Sequence, residues 1–369
     1  MKPIRVGLVG FGFSGRIFQA TVVEAVEGLE LAAIAQRSGT EAAAAFPHAK
    51  IVRSVDALLE DASIRLIVVA TPNASHLPIA RRCLLDDRDV VIDKPFALSS
   101  AEAAELMQLA RSRRRLLSIY QNRRWDGDFL TVRKLLDGDR LGRLVMFESH
   151  YDRFRQEPRL QAWREDGSPG GGVLFDLGAH LVDQALVLFG VPQSVWASVR
   201  VERQGGRIDD AFDVYLHYPA SLAQVTSSAS GPAPAGLGAW LRATCVARAP
   251  GARFTLNGTL GTFRKFGNDP QEARLLEGDF FASRPWGLES EERWGTLTTD
   301  EGGKPVSKPI PTEPGDYRGY YANIRDALHG NAPLEVTPVQ GWRTMRTLEM
   351  ALESSHTGCT VTCDWSHEP

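Results

Sequence analysis

The sequence has little of what marks several classes of protein. Four cysteines in 369 residues are too few and too scattered for a disulfide-stapled secreted scaffold. The N-terminal apolar run, residues 6–9, is shorter than the roughly 7–15 residues of a signal-peptide core. No stretch approaches the ~20 apolar residues that span a bilayer. These absences predict a soluble cytoplasmic protein with no membrane partner.

An excess of charge of one sign is also absent. Lys and Arg number 42 against 45 Asp and Glu, a net charge of −3, so no nucleic-acid partner is expected. The basic run 111–115 is interpreted as a solvated helix end. Cys359 and Cys363 have no second pair of ligands at zinc spacing, so no metal site is predicted. The chain is 43% hydrophobic and 24% charged, typical of globular proteins, and its length suggests about two domains.

The first third of the chain alternates short apolar strands with helical stretches. The predicted strands are residues 4–9, 29–35, 51–52, 65–70, 90–92 and 116–120. Ser54 and Ser99 precede two of the helices and are predicted to cap them. Apolar strands without polar alternation, separated by helices, indicate a doubly wound parallel sheet covered on both faces. Residues 1–122 are therefore predicted to form an α/β domain.

The pattern changes after residue 122. Helices are predicted at 124–136, 173–189, 320–329 and 339–357, and extended segments at 144–153, 195–203, 211–217, 222–228, 240–246 and 253–256. Residues 230–238 and 285–315 resemble loops because they are rich in turn-forming residues. Residues 123–369 are predicted to form an α+β domain with an open, mostly antiparallel sheet.

A glycine turn directly follows the first strand. Its residues are Gly10, Phe11, Gly12, Phe13, Ser14 and Gly15, and a helix is predicted from Arg16. The G-x-G-x-x-G spacing is specific only in this strand–turn–helix context, where the helix N-terminus can face a pyrophosphate. The turn predicts a Rossmann dinucleotide-binding domain.

The end of the second strand favours one cofactor over another. NAD enzymes place a carboxylate there to bind the ribose 2′-hydroxyl. This sequence instead has Arg37 and Ser38, which suit a 2′-phosphate. The cofactor is predicted to be NADP, with NAD as the alternative and Arg37 as a solvated surface charge in that case.

Three titratable residues form a candidate catalytic set. Lys94 follows the strand 90–92, at the sheet edge where doubly wound domains bind ligands. Asp176 and His180 are four residues apart and share one face of an otherwise apolar helix. A lone histidine there is usually a satisfied core residue, whereas a pair favours chemistry. Asp183 is an alternative, structural partner for His180.

Together these motifs resemble the glucose–fructose oxidoreductase/inositol dehydrogenase (Gfo/Idh/MocA) family. The resemblance covers nearly the whole chain and rests on the glycine turn, Lys94-Pro95, and D-x-G-x-H at 176–180. Further matches are TPNASH at 71–76, YQNRRWD at 120–126, YDRFR at 151–155 and WRE at 163–165. One departure is Asp93, where the family usually has Glu. Within the family the chain is most similar to the NADP-dependent scyllo-inositol dehydrogenase group.

The resemblance implies roles for these residues. His180 would be the general base, Lys94 would bind the reacting oxygen, and Asp176 would orient substrate and imidazole. Besides the glycine turn with Phe13 and Ser14, the implied cofactor-binding residues are Arg37, Ser38, Thr71, Pro72, Asn73, His76, Lys94, Asn122 and Arg123. The implied substrate-binding residues are Lys94, Asn122, Arg153, Arg155, Trp163, Arg164, Asp176 and His180.

The expected function is hydride transfer between NAD(P) and a secondary hydroxyl or ketone of a cyclitol or sugar. One alternative keeps the fold but changes the substrate to an anhydro-sugar, a dihydrodiol or an aldose. Another is a non-catalytic NADP-sensing regulator, a class that tends to lose the lysine or the histidine. In this family the open sheet face makes dimers or tetramers, so a homo-oligomer is expected.

Overall fold

The computed structural model describes residues 2–138, 140–219, 236–281 and 286–369. The strand predicted at 222–228 and most of the loop predicted at 230–238 lie outside these ranges. Within them the chain forms two sheets, one of six strands and one of nine.

The first sheet consists of six parallel strands in the order β3-β2-β1-β4-β5-β6. They are β1 Ile4–Val9, β2 Leu29–Ala35, β3 Lys50–Val52, β4 Leu66–Val69, β5 Asp89–Asp93 and β6 Leu117–Tyr120. β4 and β5 are buried throughout because helices cover both faces, which is why their sequences lack polar alternation. This strand order is that of a Rossmann domain, which confirms the predicted fold.

Short helices connect these strands. A π-helical segment Gly15–Ala20 leads into α1 Thr21–Glu24, followed by α2 Glu41–Ala45, α3 Val55–Leu59, α4 His76–Leu85, which follows a 3₁₀ turn at Asn73–Ser75, and α5 Ser100–Arg113. Ser54 accepts the backbone N–H of Ala57, and Ser99 that of Glu102. Both predicted N-caps are therefore confirmed.

The second sheet is mixed, in the order β14-β13-β12-β11-β7-β10-β9-β8-β15. Its strands are β7 Leu144–His150, β8 Ser194–Arg200, β9 Ala211–Tyr218, β10 Leu237–Thr244, β11 Phe254–Gly258, β12 Gly261–Lys265, β13 Gly295–Glu301, β14 Lys304–Ile310 and β15 Val361–Thr362. Its pairings are antiparallel except for β7 with β10. The mostly antiparallel sheet is confirmed.

The helices of this second part lie against the sheet and against the first domain. They are α6 Gly127–Asp137, α7 Ala179–Phe189, α8 Gln271–Leu276, α9 Arg318–His329 and α10 Pro338–Thr357, with a π-helical segment Leu174–Gly178 before α7 and 3₁₀ turns at Asn122–Trp125 and Glu291–Arg293. No helix within the described ranges has the length and apolarity that crossing a bilayer requires.

One sequence prediction is wrong. Residues 285–315 were expected to form a loop, but β13 and β14 make a hairpin there. β14 is an edge strand whose side chains are mostly exposed, and it carries Lys304, Pro305, Lys308 and Pro309. Proline and lysine are common on edge strands because they discourage further pairing. The same composition made the segment resemble a loop in the sequence.

Residues near the C-terminus pack back onto the first domain. Tyr321 on α9 donates a hydrogen bond to Gln19, and Glu349 on α10 accepts hydrogen bonds from the backbone and side chain of Ser100. Contacts of the second part therefore reach across the division at 122, and residues 1–122 and 123–369 remain predicted units. The packing brings the carboxyl edge of the first sheet against α7.

Candidate active site

Four strands of the first sheet end at one edge and deliver the predicted residues there. Gly10 follows β1, Asn73 lies in the segment after β4, Lys94 follows β5 and Asn122 follows β6. Because parallel strands share a carboxyl edge, loops distant in sequence converge on it. Asn73 and Asn122 are both buried at this edge.

The glycine turn has the space that a pyrophosphate needs. A Cβ on Gly10, whose φ is +98°, would lie 2.4 Å from the carbonyl oxygen of Ala70, and a Cβ on Gly15 would lie 2.2 Å from that of Gly10. A Cβ on Gly12 would meet nothing within 4 Å. Two glycines thus close the turn, while the third leaves its backbone open to an approaching phosphate.

The other two residues predicted in this turn lie at its surface. Phe13 is 49% exposed, and its ring meets the edge of Phe18 at a centroid distance of 5.8 Å. Ser14 is half-buried and directly precedes the helical segment. The turn with its helix N-terminus fits a dinucleotide, which Gly10, Gly12, Phe13, Ser14 and Gly15 would hold.

The loop after β2 contains a carboxylate that the sequence analysis missed. Arg37 and Ser38 are exposed, which fits both a phosphate site and the alternative of a solvated surface charge. Gln36 donates a hydrogen bond to Glu41 and accepts one from the backbone of Ala42, so Glu41 lies close to the strand end. Hydrogen bonds, first from its own backbone and then from Gln36, lower the pKa of Glu41. Basic and acidic groups therefore flank this loop together.

Two predicted residues after β4 make structural contacts. His76 is fully buried, with Nδ1 3.0 Å from the Pro95 oxygen and Nε2 2.9 Å from the Thr71 oxygen. The ring thereby ties the Thr71-Pro72 turn to the segment that carries Lys94. Asn73 donates to the Gly170 oxygen at 2.7 Å, which links the first domain to the segment before α7.

Lys94 and Asp176 meet across the domain junction. Lys94 Nζ donates to the Asp176 backbone oxygen at 2.6 Å and to its Oδ1 at 2.9 Å. An ammonium group has three N–H bonds, so one donor remains for a ligand. The backbone N–H of Lys94 donates to Asp93 Oδ1 at 2.9 Å. Asp93, the residue that departs from the family pattern, therefore holds the main chain of the lysine.

Burial and charge oppose each other in this pair. Burial would raise the pKa of the Asp176 carboxyl, but the positive charge of Lys94, followed by those of Arg164 and Arg153, holds that pKa well below its usual range. Burial lowers the pKa of Lys94, and the negative charge of Asp176 counteracts that effect. The contact is thus an ion pair in which each group favours the charged form of the other.

His180 lies one helical turn after Asp176 and is buried. Its Nδ1 has no hydrogen-bond partner, and its Nε2 makes no hydrogen bond to the described residues. Burial, then the positive charges of Lys94 and Arg123, lower its pKa well below 6.5, against the opposing effect of Asp176. The imidazole is therefore neutral at physiological pH and can accept a proton.

The suggested structural partner of His180 is wrong. Asp183 accepts two hydrogen bonds from Arg124, at 2.7 Å from Nε and 2.6 Å from Nη2. Both residues are buried. A bidentate arginine satisfies this carboxylate better than a histidine could, so Asp183 anchors α7 to the turn after β6 and leaves His180 without a carboxylate partner there.

Asp209 holds the start of the helical segment that carries Asp176 and His180, and it was missed by the sequence analysis. Its Oδ2 accepts a hydrogen bond from the backbone N–H of Leu174 at 2.7 Å. Its backbone oxygen accepts a second one, from the N–H of Val173, at 3.0 Å. A Cβ on Gly172, whose φ is +84°, would lie 2.1 Å from Asp209 Oδ1. Gly172 is required there because no side chain fits. The Gly170-Gly171-Gly172 run was the available signal.

The predicted substrate residues divide into two groups. Arg153 and Arg164 lie 3.8 Å and 3.4 Å from the carboxylate of Asp176, and Trp163 and Arg164 line a small cavity together with Lys94. Arg155 is exposed, and its backbone N–H donates to the Cys245 oxygen. The structure thus brings Arg153, Trp163 and Arg164 to the cluster and leaves Arg155 outside it.

Arg123 is buried behind the cluster. It forms an ion pair with Asp126 at 3.4 Å and hydrogen-bonds Glu272, a residue absent from the sequence predictions. Its guanidinium carbon lies 4.9 Å from the centre of the Tyr151 ring. Arg123 therefore supplies positive charge near His180 while its own donors face acidic partners.

Comparison with known proteins agrees with the fold. The model described as "Oxidoreductase family, NAD-binding Rossmann fold" matches residues 4–121, and "Oxidoreductase family, C-terminal alpha/beta domain" matches residues 133–363. YdgJ of Escherichia coli (strain K12), an uncharacterized oxidoreductase, is 39% identical over 97% of this chain and 98% of its own.

Two further relatives are similar over nearly their whole length. IolW of Bacillus subtilis (strain 168), described as scyllo-inositol 2-dehydrogenase (NADP(+)), is 33% identical over 98% of this chain and 96% of its own. The solved structure of the oxidoreductase YvaA from Bacillus subtilis has a TM-score of 0.91 and 32% identity, covering 98% of this chain and 99% of that one. With both family models matched and a Rossmann domain for NAD(P), this chain is an oxidoreductase of the Gfo/Idh/MocA family.

Proposed function

We propose that this enzyme transfers hydride between NADP and a secondary hydroxyl or ketone of a cyclitol or sugar. The observation that carries the proposal is the cluster of Lys94, Asp176 and His180 at the carboxyl edge of the Rossmann sheet. The similarity to IolW, described as a scyllo-inositol 2-dehydrogenase that uses NADP(+), supports the cyclitol class.

Each residue of the cluster has a step that its environment suits. The bound nicotinamide supplies the hydride acceptor. His180 is neutral and has no partner at Nδ1. It takes the proton of the substrate hydroxyl while the carbon that bears this hydroxyl is oxidised. Lys94 directs its third N–H to the same oxygen and stabilises its alkoxide character. Asp176 fixes the lysine and leaves Oδ2, which makes no hydrogen bond to the described residues, for a second substrate hydroxyl.

A substrate screen tests this function. Purified enzyme is incubated with NADP⁺ or NAD⁺ and with inositols, aldoses and 1,5-anhydro-sugars, and with NADPH and keto-sugars in the reverse direction, while nicotinamide absorbance is followed. We expect turnover with at least one cyclitol or sugar and a preference for NADP. Hydride transfer confined to dihydrodiols, or absent with every polyol and keto-sugar, would reject the proposed substrate class.

The cofactor preference depends on Arg37. Replacing Arg37 with Asp removes a guanidinium and adds a charge that repels the 2′-phosphate, so we expect NADP affinity to fall about 10- to 100-fold while NAD affinity holds. Titration of both cofactors by fluorescence gives the two Kd values. Glu41→Gln is the matched variant, because it removes a neighbouring negative charge and should strengthen NADP binding. An unchanged NADP-to-NAD ratio in Arg37→Asp contradicts the assignment.

We also propose a cytoplasmic homodimer or homotetramer that assembles through the second sheet. Trp196 and Trp240 are each 36% exposed on β8 and β10, with Tyr215 between them on β9 and its ring 5.6 Å from that of Trp240. An exposed aromatic patch in the middle of a sheet suits an interface. Sedimentation at micromolar concentration should give the mass of two or four chains, and Trp240→Asp should lower it; a monomer in the unaltered protein contradicts assembly.

A further inference from the structure

Several arginines surround the cluster of Lys94, Asp176 and His180, and most of them already have partners. Arg124 binds Asp183 and Arg123 binds Glu272. Two others are also occupied: Arg203 binds Asp210 and Glu165, and Arg253 binds Gln184 and Ser149. These four are buried. Their hydrogen bonds give them a structural role.

Arg153 and Arg164 differ from this group. Each approaches the carboxylate of Asp176, at 3.8 Å and 3.4 Å, but neither guanidinium makes a hydrogen bond to another described residue. Aromatic rings hold them in place instead: Arg164 lies 4.5 Å from the Trp163 ring centre and Arg153 lies 5.4 Å from that of Tyr151. Both guanidinium groups are thus positioned with their donors unused.

The charges next to Asp176 do not balance. One carboxylate faces three cations, Lys94, Arg153 and Arg164. Asp93 is also near, but its Oδ1 accepts the backbone N–H of Lys94 at the strand end. Even with Asp93 counted, three positive groups face two negative ones.

The other ionisable groups nearby are neutral or hydrogen-bonded to other arginines. His180 is neutral because burial lowers its pKa. The carboxylates of Glu272 and Glu165 are bound by Arg123 and by Arg203. Directly beside Asp176 and Asp93, the three cations Lys94, Arg153 and Arg164 thus outnumber the two carboxylates.

A half-buried guanidinium that shares one carboxylate with two other cations, and makes no hydrogen bond to it, is satisfied best by a further anion. Arginine presents five N–H donors in a planar fork that matches a carboxylate or phosphate. One edge can face Asp176 while another faces a ligand. A neutral hydroxyl would make weaker bonds and leave the excess charge in place.

We propose that the substrate carries a carboxylate or a phosphate, and that Arg153 and Arg164 bind this group. Because both arginines and Lys94 contact the same carboxylate, the anionic group belongs to the same sugar or cyclitol unit as the reacting oxygen. The inference deepens the proposed function and rests on it for the placement of the reacting oxygen at Lys94. The preferred substrates are thus acidic sugars or phosphorylated cyclitols.

Calorimetric titration of the enzyme–NADPH complex tests this with pairs of compounds that differ in the anionic group. The pairs are D-glucuronate with D-glucose, and myo-inositol 1-phosphate with myo-inositol. We expect the acidic member of at least one pair to bind at least tenfold more tightly, with the preference declining as salt is raised. The pair that shows it distinguishes a carboxylate from a phosphate.

Variants locate the preference. Arg153→Gln and Arg164→Gln should each reduce the preference for the acidic compound severalfold, with the NADPH Kd unchanged. Arg164→Lys should retain part of that preference. Arg81→Gln is the control, since Arg81 is exposed and pairs with Glu105 on the helices of the first domain. Three results would overturn the proposal. They are equal Kd values within both pairs of compounds, a preference for the acid that persists in both glutamine variants, and glutamine variants that lose affinity for NADPH instead of the preference.

The titration and the substrate screen test different proposals, so either proposal can be rejected without the other. Turnover of neutral polyols with no preference for acids would leave the proposed function standing and remove the anion site. Preferential binding of acids without hydride transfer to or from any sugar would support the anion site and reject the proposed function. The titration gives its answer with or without turnover.

Discussion

His180→Gln should lower kcat for hydride transfer by about 10²- to 10⁴-fold, the usual contribution of a general base. Glutamine keeps the approximate size and polarity of the side chain but cannot accept the hydroxyl proton at neutral pH. The glycine turn that would hold the cofactor lies on another element, so the Kd for NADPH should stay within about twofold of the starting value. That is a change of about 0.4 kcal/mol, against about 1.5–3 kcal/mol for one lost charged hydrogen bond. Steady-state kinetics and NADPH titration measure the two effects.

The pH dependence separates a base from a structural histidine. A base works when unprotonated, so activity is lost as pH falls through its pKa. Burial lowers the pKa of His180 well below 6.5, and kcat/KM for oxidation should therefore stay level at pH 6.5 and fall only under more acidic conditions. His180→Gln should abolish that acidic limb.

His356→Gln is a matched control, because His356 is exposed near the end of α10. It should leave kcat and the pH profile unchanged. A His180→Gln enzyme that retains full activity, or that keeps the same acidic limb at lower activity, would show that another group is the base.

The parts of this site that follow from local sequence could be predicted. The glycine spacing after β1 fixes a turn because a Cβ on Gly10 or Gly15 would lie only 2.4 Å or 2.2 Å from a backbone carbonyl oxygen. Asp176 and His180 share a helix face because four residues make about one turn. Lys94 is at the ligand edge because it follows a buried parallel strand.

Contacts between distant parts of the chain could not be predicted. Asp183 lies three residues after His180, yet its partner is Arg124, 59 residues earlier in the chain. Nothing in the sequence near either residue selects this pair over others, since any buried carboxylate will take an available cation. Asp209 was missed for the same reason, because the N–H groups that it caps belong to a helix 35 residues away.

The second sheet shows a related limit. Its β7 and β10 pair in parallel, whereas their neighbours pair antiparallel, and alternating polarity is the same in both cases. The hairpin of β13 and β14 was also not predicted, because an exposed edge strand has the composition of a loop. Neither feature bears on the site, whose residues come from the first sheet's edge, the π-helical segment before α7, and α7.

Lys94→Met should lower kcat by about 10²- to 10³-fold, the cost of removing one donor that stabilises a developing oxyanion. Methionine nearly matches lysine in length, so the change removes the ammonium and little volume. The third N–H of Lys94 makes no bond to the described protein, and its expected partner is the reacting oxygen. The loss should therefore appear in kcat more than in KM.

Lys94→Arg distinguishes charge from geometry. A guanidinium restores the positive charge beside Asp176 but is too large for a side chain that is only 13% exposed and that already donates to two oxygens of that residue. We expect less than a tenth of the starting activity, since arginine and lysine are not interchangeable at a confined site. Lys50→Met on β3, where the side chain is exposed, is the control and should be fully active. Full activity in Lys94→Arg would mean that positive charge near Asp176 is sufficient, and full activity in Lys94→Met would remove the lysine from the reaction.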